Sequence, residues 1–204
     1  MKITDIKPQL KLQGRYSVYV DDKYAFSLSE NALLEQTRIR IGQEVTKDEL
    51  AGFKEVSALD KAYNLTLAYV ARRMRSEGEL RDYFRRKKID EDSSDSILVR
   101  LRGFGYVNDA KFAQSWVENR RLLKPVSKRR LILELRQKSV ADDIVRQVLE
   151  ADETSDRDTL RQLVDRKRKQ TRYQDATKLM QYLARQGFGY DDIKRVLAGE
   201  SDDE

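Results

Sequence analysis

The stretch Leu131-Ile-Leu-Glu-Leu135-Arg-Gln-Lys-Ser-Val140-Ala-Asp-Asp-Ile-Val-Arg-Gln-Val-Leu149 decides how this chain reads, because its pattern occurs three times. Leu131 is followed by apolar residues at +4 and +9, then by acids, then by Leu149 at +18. Leu80, Phe84, Ile89 and Leu98 keep these offsets 51 residues earlier; Leu179, Leu183, Phe188 and Leu197 keep them 48 residues later. A +4 step is one helical turn, and self-similarity at a fixed period signals stacked repeats that bury their apolar faces against each other. The pattern predicts a mainly α fold of three tandem three-helix repeats over 58–106, 107–152 and 153–199. Such units stack into an elongated, curved body.

Residues 1–57 read differently. Arg15-Tyr-Ser-Val-Tyr-Val20 and Lys23-Tyr-Ala-Phe-Ser-Leu28 are strand-like runs around Asp21-Asp22, a β-hairpin signature. Ile3 to Leu12 supplies a further strand candidate, and Ser29 looks like the cap of a short helix ending near Gln36. From about Lys47 the periodicity turns helical, and Ala58, Ala62, Leu65 and Tyr69 mark one helical face. Ser76-Glu-Gly-Glu79 reads as a capping box opening another helix.

Composition excludes much chemistry. Without cysteine or histidine there are no disulfides, no thiolate nucleophile, no Cys/His zinc site and no imidazole-based triad. No apolar run approaches a membrane span, and the N-terminus lacks a signal-peptide core. These features lead us to expect a soluble cytoplasmic protein.

Charge is unevenly spread. Residues 1–58 hold nine cations and nine anions, while Gly199–Glu204 holds four acids and no base, giving an acidic tail at 200–204. With a net charge of +6 overall, residues 59–198 carry about +10. That balance suggests a polyanion or an acidic protein surface as partner. The cations cluster in every repeat: Arg72, Arg73, Arg75, Arg81, Arg85 and Lys88; then Arg120, Arg121, Lys124, Lys128, Arg129 and Arg130; then Arg166, Lys167, Arg168, Lys169 and Arg172. A single run of cations is usually a solvated face. Recurrence in each repeat without matching acids raises the partner-binding reading to equal weight.

The acid clusters Asp90-Glu-Asp92, Asp142-Asp143 and Asp191-Asp192 follow the +9 residue, where a new helix starts, and are read as caps more than as metal ligands. Phe112, Ala113, Trp116 and Val117 have core spacing, whereas Tyr83 and Tyr182, equivalent in the repeat, are expected to be more exposed. Gly103-Phe-Gly-Tyr106 and Gly187-Phe-Gly-Tyr190 lack the further glycine or Lys-Ser/Thr of a phosphate loop. They read as helix stops, with Gly103 and Gly187 left-handed and Phe104 and Phe188 reaching back to Val99 and Leu183.

Arg75-Ser-Glu-Gly-Glu-Leu80, Gly105-Tyr-Val-Asn-Asp-Ala-Lys-Phe-Ala113 and Glu134-Leu-Arg-Gln-Lys138, in that order and spacing, resemble the RecX family, bacterial regulators of the RecA recombinase. The closing repeat, Gly187-Phe-Gly-Tyr-Asp-Asp-Ile-Lys-Arg-Val-Leu197, resembles that family too, so the match covers about 58–198. Lys88 and Ser139 stand where the family often has glycine, and Pro125 where glycine is expected. The resemblance implies a non-enzymatic modulator needing no cofactor or metal. RecX-like proteins bind the RecA filament on single-stranded DNA along its helical groove and block extension, ATP hydrolysis and strand exchange. The clustered cations from Arg72 to Lys169 are then candidates for contact with RecA or DNA, in a protein that is monomeric when free. The alternative is a helical-repeat protein that binds DNA or RNA without RecA. A carboxylate-metal nuclease is disfavoured, because the acids are scattered.

Overall fold

A computed structural model of the chain describes residues 1–199; the acidic tail expected at 200–204 lies outside the described residues. The chain divides into two compact units, residues 1–73 with 84–104, and residues 74–83 with 105 onward.

The first unit opens with three antiparallel strands in the order β1 (Ile3–Pro8), β2 (Arg15–Val20), β3 (Lys23–Ser29). Asp21 and Asp22 both have positive φ, 47° and 60°, which gives the tight turn the twist of the flanking strands. Ser29 caps the short helix α1 (Glu30–Glu35), its hydroxyl accepting from the Ala32 N–H. Helix α2 (Lys47–Val70) starts at a capping box in which Thr46 and Glu49 satisfy each other's backbone N–H.

The face that α2 buries differs from the one its apolar letters mark. Asp60, Tyr63, Thr66 and Val70 are buried, while Ala58 is exposed and Leu65 is 46% exposed. The cause is a polar clamp. Asp60 accepts from Arg15 Nη1 at 2.8 Å, from the Ser29 N–H at 2.9 Å and from Asn64 Nδ2 at 2.8 Å. Thr66 donates back to the Ala62 carbonyl, so it too is buried with its hydroxyl satisfied. The helix also runs unbroken through residues 57 and 58, where the sequence suggests the first repeat begins. Helix α4 (Glu91–Gly103) packs against α2, and the Arg100 guanidinium lies 4.1 Å from the centre of the Tyr63 ring.

The second unit holds α5 (Asp109–Leu123), α6 (Lys128–Gln137), α7 (Asp142–Glu150), α8 (Asp156–Arg168), α9 (Ala176–Arg185) and α10 (Tyr190–Ala198). It also holds the start of α3 (Glu77–Lys87), a helix that ends in the first unit. The +4/+9 spacing has a specific origin. Ile89, Val140 and Phe188 each donate their N–H to the carbonyl of the +4 residue, Phe84, Leu135 and Leu183. The residue before each, Lys88, Ser139 and Gly187, has positive φ (55°, 55° and 92°) and donates to the +5 carbonyl. Each middle helix thus ends in a Schellman motif, which folds the +9 side chain back onto the core.

The repeats join by a shared device. The Ser76 hydroxyl donates to the Lys138 carbonyl at 2.6 Å, and the Ser127 N–H donates to the Gln186 carbonyl at 3.1 Å. Both serines also cap their own helices, accepting from Glu79 and Arg130. An aspartate opening the following repeat caps the same turn: Asp109 accepts from the Glu77 N–H and Asp156 from the Lys128 N–H. The C-terminal end of one middle helix therefore abuts the N-terminal end of the preceding one, pairing opposite ends of their dipoles. In the third repeat the corresponding position is Asp175, which is exposed and caps its own helix by accepting from Thr177 and Lys178.

Three local expectations change. Gly103 stays inside α4 and the left-handed residue is Gly105 (φ 73°), while Phe104 and Val99 are both 64% exposed; only Gly187 and Phe188 form the predicted stop. Of the three acid clusters, only Asp90 is a true cap, accepting from Ser93; Ala141 and Gly189 cap the other two helices, whose acids lie within the first turn. Tyr83 is buried, not exposed, and Tyr182 packs its ring 5.1 Å from that of Tyr173.

Candidate functional site

In the first unit, Arg72 and Arg73 follow the end of α2, and Arg85 and Lys88 lie at the end of α3; all four are exposed. Cations at a helix C-terminus face the negative end of its dipole, so Arg85 and Lys88 suit their places without invoking a ligand.

The candidates of the second unit separate into three kinds. Arg75, Arg121 and Lys128 are structural. Arg75 is largely buried beside Glu79. Arg121 holds Asp152 through Nε and Nη2 at 3.0 and 2.7 Å and the Val126 carbonyl at 2.8 Å. Burial opposes ionisation of Asp152, but Thr154 and Arg121 outweigh it and hold the carboxyl below its ordinary pKa. Lys128 Nζ donates to the Leu149 and Asp152 carbonyls, closing the end of α7. Arg81 pairs with Glu77 one turn away, and Arg168 donates to the Leu197 carbonyl.

Lys124, Arg129, Arg166 and Lys169 are exposed. Lys167 lies over the rings of Tyr173 and Tyr182, 5.2 and 4.7 Å from their centres. Burial, then Tyr173, pushes the Tyr182 hydroxyl up in pKa, so it stays neutral beside that cation.

Arg120 and Arg130 are brought together, and the residue that does it was not legible as a site residue. Glu134, buried on α6, accepts from Arg120 Nε at 2.8 Å, Arg130 Nε at 3.3 Å and Trp116 Nε1 at 3.0 Å. Trp116 stacks on Phe112, with Lys138 Nζ 5.4 Å from its ring; Lys138 also donates to Glu79 at 2.9 Å. One sequence signal was available: the +3 position is tyrosine in the outer repeats and glutamate only here. Among the described residues no three carboxylates converge to hold a metal ion, and no helix is long and apolar enough to cross a membrane.

Fold and site define a class, a tandem three-helix-repeat protein behind a small antiparallel sheet, with clustered cations as its exposed chemistry. Four family models match in order: the regulatory protein RecX N-terminal domain over 1–46, and the first, second and third RecX three-helix domains over 62–101, 108–149 and 155–197. The chain belongs to the RecX family.

Among its relatives, regulatory protein RecX of Listeria monocytogenes serotype 4b (strain F2365) is 32% identical over 150 residues, which is 74% of this chain and 55% of that protein. That of Lactobacillus gasseri is 32% identical over 147 residues, 72% and 54%. The chain spans about half the length of the curated relatives it matches. A crystal structure of regulatory protein RecX superposes with a TM-score of 0.73 at 27% identity, covering 97% of this chain and 98% of that one. RecX from Lactobacillus salivarius shares the fold, with a TM-score of 0.56 over 69% of this chain and 95% of its own, at 24% identity.

Proposed function

We propose that this protein regulates RecA by binding its filament on single-stranded DNA along the helical groove, without catalysing a reaction itself. The observation that carries the reading is the ordered set of four RecX domains along residues 1–197. Binding restrains ATP hydrolysis, filament extension and strand exchange. The exposed cations Arg72, Lys88, Lys124, Arg129, Arg166 and Lys169, with the Arg120–Arg130 pair, supply contacts to acidic RecA surfaces or the DNA backbone. Arg121 and Lys128 serve the repeat joint instead. The protein acts as a cytoplasmic monomer.

The test is the DNA-dependent ATPase of RecA, which falls on adding tens of nanomolar to micromolar protein, on the order of the affinity of a specific regulator. An unchanged rate rejects the reading. The net charge of about +10 on residues 59–198 favours a second reading, strand binding without RecA. Steep salt-dependent loss of binding to a bare strand, with no gain when RecA coats it, selects that one.

A further inference from the structure

We infer that Glu134 is a positioning residue, and that it aims Arg120 and Arg130 at a phosphodiester group of a nucleic-acid strand. The inference deepens the proposed function by naming a site and its ligand.

Three observations carry it. First, Glu134 takes one hydrogen bond from the Nε of each arginine, Arg120 on Oε2 and Arg130 on Oε1. Among the described residues, neither pair of Nη groups donates to another protein atom, and the side chains are 28% and 44% exposed. One carboxylate thus fixes two guanidinium planes and leaves a pair of N–H donors on each. A phosphate, with two free oxygens in tetrahedral array, can accept from two such edges at once. The net charge of the trio is +1, matching one phosphodiester.

Second, a carboxylate at this position is not shared by the other repeats. The equivalent positions are Tyr83 and Tyr182, and those repeats fold around a tyrosine. Repeat two instead buries an acid, which is costly unless its partners repay it, and its partners here are the two arginines and the Trp116 indole.

Third, the cations stand where helix electrostatics disfavour them. The first turn of α6 carries Lys128, Arg129 and Arg130 and no acid. Cations oppose the positive end of a helix dipole. Lys128 is relieved by the Leu149 and Asp152 carbonyls and Arg130 by Glu134, but Arg129 is exposed with no side-chain partner among the described residues. The N–H groups of Lys128 and Arg130 are already taken by Asp156 and Ser127, so the site consists of side chains. A strand offers successive phosphates to Arg129 and to the Arg120–Arg130 pair together. A lone carboxylate on a folded partner offers one.

The sign of the test is unusual. Glu134→Gln and Glu134→Tyr, the latter restoring the residue of the other repeats, both make the protein more basic, and Coulomb attraction alone then predicts tighter anion binding. Positioning predicts the reverse. Binding of a fluorescent oligo(dT) strand to the full chain, without RecA, is measured by anisotropy from about 50 to 200 mM salt. Folding is followed by circular dichroism. We expect roughly tenfold weaker binding, and a salt slope reduced by about 0.7 for one lost phosphate contact on a single strand. Folded variants that bind the strand as tightly as the parent, or more tightly, overturn the inference. If the Glu134 variants do not fold, Arg130→Lys decides: it keeps the charge, loses the fork and should weaken binding several-fold, and unchanged binding overturns the site. Arg130-dependent binding of poly-glutamate, with strand binding indifferent to Arg130, also overturns it in favour of an acidic protein partner. Because RecA is absent, these results are independent of the ATPase assay that tests the proposed function.

Discussion

Lys88 and Ser139 hold a left-handed backbone that L side chains adopt only at a cost. The Schellman geometry at the end of each middle helix needs that conformation, and only Gly187 supplies it without strain. Lys88→Gly should therefore raise stability by about 0.5–1 kcal/mol, read as a higher urea midpoint at unchanged slope. Asp60 shows the opposite case, a polar residue on which packing depends. Removing its charge with Asp60→Asn leaves Arg15 buried without its counter-ion, and should cost about 3 kcal/mol in the same measurement. These residues also show what the sequence hides. Asp60 and Thr66 look like surface letters, so the apolar face drawn through Ala58 and Leu65 is the wrong side of α2. Burial here follows hydrogen-bond satisfaction, which pairs residues as distant as Arg15 and Asp60.

At the scale of elements, the joints between middle helices set the tolerance to change. A Cβ at Gly78 would lie 2.3 Å from the Ser139 Cβ and 2.8 Å from the Lys138 carbonyl oxygen. Gly78→Ala should thus cost about 1–3 kcal/mol through overpacking, seen as a lower melting temperature. The joint between repeats two and three should weaken in acid. The folded-state pKa of Asp152 lies below its ordinary 3.8, so its contribution is present above that value and is lost as pH falls through the lower, folded one. Asp152→Asn should flatten the pH dependence of unfolding below about pH 4. The repeat was plain in the sequence because +4 and +18 are core positions and +9 is the Schellman residue, each an apolar letter at fixed spacing. The joints were not, because a serine hydroxyl reaching a carbonyl 62 residues away leaves no periodic trace. The candidate site was half legible for the same reason: the cations stood out as runs, but Glu134, which sorts Arg120 and Arg130 from the structural Arg121, is a single letter.

For the whole molecule, the proposed function makes the exposed cations the place to test. Reversing Arg129 and Arg130 to glutamate should weaken inhibition of RecA at least several-fold and reduce its dependence on salt. Inhibition that survives both reversals removes these two residues from the interface. If the proposed contacts are spread over several repeats, single substitutions of Lys124, Arg166 or Lys169 should each have small, separable effects on that inhibition.

The aspartate at position 175 has a consequence for what the start of its helix can bind. The first two middle helices each begin with a serine that reaches the next repeat's carbonyl, through its hydroxyl at Ser76 and through its backbone N–H at Ser127. Asp175 retains a backbone N–H like that of Ser127, but its carboxylate only accepts, as it does from Thr177 and Lys178, and cannot donate as the Ser76 hydroxyl does. The same position in three repeats thus offers two kinds of chemistry, and a single letter decides whether a helix start can give a proton to a neighbour as well as hold its own first turn.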